Sequence, residues 1–232
     1  MLEAKALFEL AEFEHREIFA GTRYAWEALG RLAEYLAARL RPGLRGEVRP
    51  GAWIEGEVEL GEGSVVEPGA LVRGPAIIGP GCEIRQGAYI RGEVILGRGA
   101  IVGHCSEIKG SILLNGAAAP HFNYVGDSIL GNDVNLGAGT VCSNVKFSGE
   151  PVVVRAGESL LPTGRRKLGA IVGDGAQTGC NVVLNPGTVL GRGCRVYPGA
   201  SVRGCHPANS VIKLGQPLLI EPCRSGEKAR GG

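Results

Sequence analysis

Residues 66–102 read VEPGALVRGPAIIGPGCEIRQGAYIRGEVILGRGAIV, and every sixth residue is aliphatic: Val66, Val72, Ile78, Ile84, Ile90, Leu96 and Val102. The step continues in both directions, back through Leu60, Ile54 and Val48 and on through Ile108 and Leu114. Leu, Ile and Val make up 58 of 232 residues. Twelve consecutive hits at that frequency arise by chance on the order of once in ten million, so the period is structural. The residue after each aliphatic one is glycine, charged or polar, as at Arg73, Gly79, Arg85, Arg91, Gly97 and Lys109. Four places after it the side chain is mostly small, as at Ala70, Ala76, Cys82, Ala88 and Ala100.

A six-residue step fits neither a helix nor a long alternating strand. It fits a short strand and a tight corner, with Pro50-Gly51, Pro68-Gly69 and Pro80-Gly81 supplying turn geometry. Three such faces make a coil of about 18 residues, and coils stacked about 4.8 Å apart bring each aliphatic row into a continuous ladder. The register returns at Leu130, Leu136 and Cys142, and again at Val172, Thr178, Leu184, Leu190, Val196 and Val202. The expectation is an all-β solenoid, a parallel β-helix over 44–207 interrupted twice, with an inserted loop at about 146–169.

Composition narrows the class. Glycine is 39 of 232, but it does not recur every third residue and proline is only 13, which excludes collagen. A net charge of +2 argues against a general nucleic-acid binder. No apolar run approaches the roughly 18 residues of a membrane span, so the chain reads as soluble and cytoplasmic. The seven cysteines are odd in number and contain no Cys-x-x-Cys, indicating neither a disulfide framework nor a zinc ribbon. Residues 1–43 differ in character: Trp26, Leu29, Leu32, Leu36 and Leu40 follow helical steps, Pro42-Gly43 ends the helix, and a shorter helical stretch surrounds Leu7 and Leu10. Their expected role is packing or subunit contact. Residues 208–232 read as a C-terminal extension and tail.

The repeat resembles that of the hexapeptide-repeat acyltransferases. That resemblance implies a left-handed β-helix and a homotrimer with active sites between subunits. Where the rhythm breaks, the chain reads His121-Phe122-Asn123-Tyr124-Val125-Gly126-Asp127, then Asn132-Asp133-Val134-Asn135-Leu136-Gly137-Ala138-Gly139-Thr140, then Ser143-Asn144. These runs resemble the acetyltransferase domain of the bifunctional enzymes that make UDP-N-acetylglucosamine. The later run Thr163-Gly164-Arg165-Arg166-Lys167-Leu168-Gly169-Ala170 is similar to the archaeal-type sugar-1-phosphate nucleotidyltransferases that carry this domain. No uridylyl-transfer signature stands in residues 1–43, so the expectation is an acetyltransferase without the nucleotidyltransferase domain.

Acetylating an amino-sugar phosphate needs a base titrating near neutrality, fixed cations for the phosphate, and a donor for the developing oxyanion. The resemblance implies His121 as the base, with Asn144 orienting amine and thioester. It implies Arg91 and Lys109 as sugar-phosphate cations, 18 residues and therefore one coil apart, with Arg85 the alternate in a shifted register. Tyr124 and Asn135 correspond to residues that hold the sugar. Ala138 corresponds to a backbone donor facing the thioester, and Cys180 lies where the acyl-CoA arm runs. Arg165, Arg166 and Lys167 are a plausible clamp for the phosphates of acetyl-CoA, or else a solvated basic loop. Val145 stands where the bacterial pattern has tyrosine. The implied partner is a small-molecule amino-sugar phosphate, with no nucleic acid, membrane or metal. A different reading is a non-catalytic scaffold or regulatory subunit that binds a sugar nucleotide or a separate nucleotidyltransferase chain. A zinc-dependent β-helix carbonic anhydrase is weakly supported, because His104 and His121 are followed by no close histidine pair.

Overall fold

The computed structural model describes residues 2–215, and the reading of Arg224 to Gly232 as a tail lies outside them. The chain winds as a left-handed parallel β-helix whose three faces recur in the order A, B, C. Face A holds nine strands, from Gly43–Leu44 through Val94–Leu96 to Cys205–His206. Face B runs from Glu47–Val48 through Ile101–His104 to Ala118–His121, then crosses Asn135 by isolated bridges to Gln177–Thr178, Arg195–Val196 and Val211–Ile212. Face C holds eight strands, from Trp53–Glu55 through Glu107–Lys109 to Ser201–Val202. Pairing between coils of the helix is parallel, and the ladder continues to Val211–Ile212, past the residue 207 at which the spacing ends it. The interior is filled by the expected rows, such as Leu60, Ile78 and Leu96 from face A and Val72, Ile90 and Ile108 from face C, all fully buried. Each such side chain removed from water contributes about 1.5–3 kcal/mol.

One expected ladder member is wrong. Leu113, not Leu114, continues the row of Leu96, because Leu96 pairs with Leu113 and the coil between them is one residue short. The missing residue is at the corner between faces C and A, where the strand ending at Lys109 meets the strand starting at Ser111 across Gly110 alone. Gly110 takes φ 55° there, and Asp127 takes φ 48° at the same corner one coil on. Hydroxyls complete the tightened corner: Ser128 N–H donates to Ser111 Oγ (3.0 Å) and Ala170 N–H to Ser128 Oγ (3.0 Å). Leu114 instead joins a second apolar cluster.

That second cluster covers face A. Its strands carry aliphatic side chains outward as well as inward (Ile77, Ile95, Ile112, Ile129, Ile171, Val189), and residues 2–40 lie over them. The expected apolar residues Trp26, Leu29, Leu32, Leu36 and Leu40 are all buried, but in two pieces, a 3-10 turn at Ala25–Gly30 and an α-helix at Leu32–Arg39. Hydrogen bonds to its carbonyls pin the segment down: Asp174 N–H donates to Leu7 O (3.0 Å) and the Asn132 side-chain Nδ2 to Glu9 O (2.8 Å). Beyond Ser143 the chain leaves the solenoid and forms an antiparallel hairpin, Val153–Ala156 with Ser159–Pro162, whose Val152 and Val154 join the same cluster.

His15 is buried under this segment, with Nδ1 3.2 Å from Tyr35 Oη. Burial lowers its pKa, more than Glu14 and Glu59 raise it. A folded state that resists protonation is stable above the free histidine value near 6.5 and loses stability as pH falls through it toward the lower folded value. His15→Gln is therefore expected to flatten the decline in urea midpoint between pH 7 and pH 5; an unchanged slope would refute this origin.

Candidate functional site

Strand register turns sequence spacing into columns of outward side chains. Along the third position of face C, Glu55, Arg73, Arg91, Lys109, Gly126, Ser143, Asn185 and Arg203 lie one above another. At the corner between faces B and C, His104 pairs with His121, and the column continues upward through Ala138 and Cys180. Backbone bonds mark each step: Gly139 N–H donates to His121 O (3.0 Å) and Asn181 N–H to Ala138 O (2.8 Å). Arg85 follows Ile84 on face B, paired with Glu83 at 2.7 Å, so it does not stack with Lys109.

His121 is exposed on the outside of the rod. Its backbone is fixed by Asn123, which is buried and whose Oδ1 accepts His121 N–H (3.0 Å) while its Nδ2 donates to Gly137 O (2.8 Å). One coil below, His104 packs edge-on against Phe122 at 5.2 Å. Asn135 is exposed on face B in the coil above His121. Among the described residues, Ala138 N–H donates to no backbone carbonyl.

Across face C the cations are paired with carboxylates. Arg91 meets Glu107 at 2.7 Å, and Lys109 meets Asp127 at 2.9 Å. Asp127 is the hub: it also accepts Asn144 Nδ2 at 2.5 Å, and Arg165 approaches to 3.9 Å. Asn144 is thus buried against Asp127. Tyr124 lies between the two columns, half-buried, and its hydroxyl and Asn144 Nδ2 both crowd over Gly126, where a Cβ would come within 2.7 Å of each. Any side chain there would displace Tyr124 and Asn144 from their positions. Lys109, Arg165 and Asp127 together leave one surplus positive charge facing this side of the rod.

The structure thus brings His121, Ala138 and Cys180 into one column, and Arg91, Lys109 and Asn144 to the other end of face C. The basic run divides: Arg165 turns in toward Asp127, while Arg166 and Lys167 are exposed. Sequence reasoning missed Asp127 and Asn123. Both stand inside the quoted motif, and their signal would have been a small polar residue beside glycine at a corner, where its side chain can satisfy neighbouring backbone groups. Among the described residues no group of three metal-ligating side chains gathers, and no helix is long and apolar enough to cross a membrane.

Known proteins share this pattern. Residues 72–161 match the family model described as the GMPPB C-terminal domain, and 169–204 match the bacterial transferase hexapeptide of six repeats. A bifunctional sugar-1-phosphate nucleotidylyltransferase/acetyltransferase of Sulfurisphaera tokodaii is 46% identical over 87 residues, covering 38% of this chain and 22% of that protein. The bifunctional protein GlmU of Methanocaldococcus jannaschii is 36% identical over 101 residues, covering 44% of this chain and 24% of that protein. The matches thus span about a quarter or less of these relatives' length. The solved UDP-N-acetylglucosamine acyltransferase of Francisella novicida aligns at 16% identity with TM-score 0.49, covering 68% of this chain and 59% of that one. The chain is a β-solenoid of hexapeptide repeats, related in sequence over part of its length to these bifunctional proteins.

Two outcomes follow from burial and charge. Removing the carboxylate strands Lys109 and Asn144, so Asp127→Ala is expected to cost about 3 kcal/mol in denaturant unfolding and Asp127→Asn, which also deletes the charge, a comparable amount; a near-wild-type Asp127→Asn would refute an electrostatic hub. Burial pushes the Cys82 thiol up to about 11 and Cys142 to about 12, whereas Cys105 and Cys180 are exposed. Native alkylation at pH 8 followed by peptide mapping should mark Cys105 and Cys180 before Cys82 and Cys142. Labelling of Cys142 at the Cys180 rate would contradict the packing.

Proposed function

We propose that this protein is an acetyl-CoA-dependent N-acetyltransferase for glucosamine-1-phosphate or a related amino-sugar phosphate, working as a homotrimer. The observation that carries the reading is the pair of columns on either side of face C, an exposed imidazole at one end and stacked cations at the other. Five residue steps lead from His121 to Gly126, a span of at most about 17 Å if extended and less around the corner. With His121 reaching in from one end and Lys109 and Arg91 from the other, the gap is on the scale of one phosphorylated sugar.

In the proposed reaction the acceptor phosphate sits against Arg91 and Lys109, and Tyr124 and Asn135 hold the sugar. His121 takes a proton from the amine as its nitrogen attacks the thioester carbonyl carbon. The carbonyl oxygen gathers charge opposite the Ala138 N–H, the C–S bond breaks, and the CoA thiolate leaves to be protonated. The acyl donor follows the Ala138–Cys180 column; Arg166 and Lys167, carried by the insertion that pairs Lys167 with Val145 at the opposite edge of face C, are not assigned to its phosphates within one chain. Asn144 acts here by holding Asp127, and through it Lys109. Cys180 carries no acyl group, since among the described residues the histidine-paired exposed thiol is Cys105, beside His104, and not Cys180.

Purified protein given acetyl-CoA and a hexosamine-1-phosphate is expected to release free thiol. His121→Ala should lower kcat by about 100-fold to 10,000-fold with the oligomer intact, and Lys109→Ala should chiefly raise the acceptor KM. No thiol release with either the gluco or the galacto epimer, or wild-type rates in His121→Ala, would overturn the reading.

A further inference from the structure

The inserted hairpin roofs a groove of about 740 Å³ that the proposed chemistry does not use. Its floor is the upper part of the same face C column, Ser143, Asn185 and Arg203, so it continues directly above the cations assigned to the acceptor phosphate. Its walls come from the insertion. Phe147 and Leu160 are exposed apolar side chains with no other evident packing role, and Val153 and Val183 complete an apolar surface. Lys146, Arg155 and Arg203 also line it, and no carboxylate does among the described residues. Lys146 is partly committed to Glu150 at 3.7 Å, whereas Arg155 and Arg203 form no ion pair among the described residues.

An aromatic and aliphatic wall beside uncompensated guanidinium groups suits a ligand with a flat base and phosphates. The height agrees. Two to three coils separate Lys109 from Ser143 and Asn185, about 10–14 Å at the parallel-strand spacing, comparable to the reach from the sugar-linked phosphate of a nucleoside diphosphate to its base. The donor column lies at the opposite edge of face C, so the groove extends the acceptor side.

We infer that the groove binds the nucleoside diphosphate part of the acceptor, so that the preferred acceptor is a nucleotide-linked amino sugar rather than the free sugar phosphate. The inference rests on the acetyl-transfer reading for its chemistry, but its binding can be measured without turnover. The distal phosphate meets Arg91 and Lys109, the proximal phosphate and ribose pass Ser143, and the base rests on Phe147 and Leu160 near Arg155 and Arg203. The transfer itself is unchanged: the sugar amine gains the acetyl group, loses a proton to His121, and the thiol departs.

The test combines calorimetric titration of the full chain with acetylation assays. UDP and GDP are the binding probes, with uridine and CoA as controls; glucosamine-1-phosphate and UDP-glucosamine are the acceptors. Saturable binding of either diphosphate, weakened at least tenfold by Arg155→Ala and by Phe147→Ala, supports the site. So does a kcat/KM for UDP-glucosamine at least tenfold above that for glucosamine-1-phosphate, with the advantage lost in Arg155→Ala and the sugar-phosphate rate retained. Equal or better use of the free sugar phosphate overturns the inference while leaving acetyl transfer standing. Diphosphate binding that is undetectable, insensitive to both substitutions, matched by uridine, or displaced by CoA also overturns it. Diphosphate binding that obeys both substitutions, with no acetylation of either acceptor, removes the acetyl-transfer reading and leaves the groove assigned.

Discussion

The structure depends on vertical registry. A solenoid coil has no stability of its own; it exists because each inward side chain lands on the equivalent one in the coil below and each strand finds its backbone partners there. The ladder from Leu60 through Ile78 and Leu96 to Leu113 keeps this registry even where a coil loses a residue. The loss is absorbed at a corner, in Gly110 and the Ser111 hydroxyl, and not in the ladder. Registry also fixes the surface: outward residues cannot move independently, so Arg91 above Arg73 and His121 above His104 are consequences of the core.

Much of this was legible because a six-residue aliphatic step has few physical solutions. The inward rows, the corners and the interruption after Ser143 all follow from spacing. Leu114 was misread because a fixed step cannot detect a dropped residue when two leucines adjoin; the choice between Leu113 and Leu114 is made by the corner at Gly110. The covered face also has a readable signal. Face A carries an aliphatic doublet in six consecutive coils, at Ile77-Ile78, Ile95-Leu96, Ile112-Leu113, Ile129-Leu130, Ile171-Val172 and Val189-Leu190. An outward isoleucine or valine in six successive coils requires something to cover it, and the apolar residues of 1–43 are what does.

The candidate site was legible in its outline and not in its wiring. Spacing alone puts Arg91 and Lys109 on one face, since 18 residues is one coil there. It does not show that Lys109 is held by Asp127, that Asn144 turns inward to the same carboxylate, or that Gly126 must lack a side chain for Tyr124 to lie over it. Those relations arise between coils of 17 residues, where the corner tightens and side chains otherwise a step apart come together. The basic run at Arg165 to Lys167 was read as a unit, but a loop that turns over at Val145 and Lys167 points its members in different directions.

A three-sided rod with one flank lined by its own N-terminal segment keeps only two flanks bare. Flank-to-flank contacts between copies are then confined to faces B and C, like to like or one to the other. The segment over face A therefore does more than shield isoleucines: it removes the third flank along which rods could pile side by side.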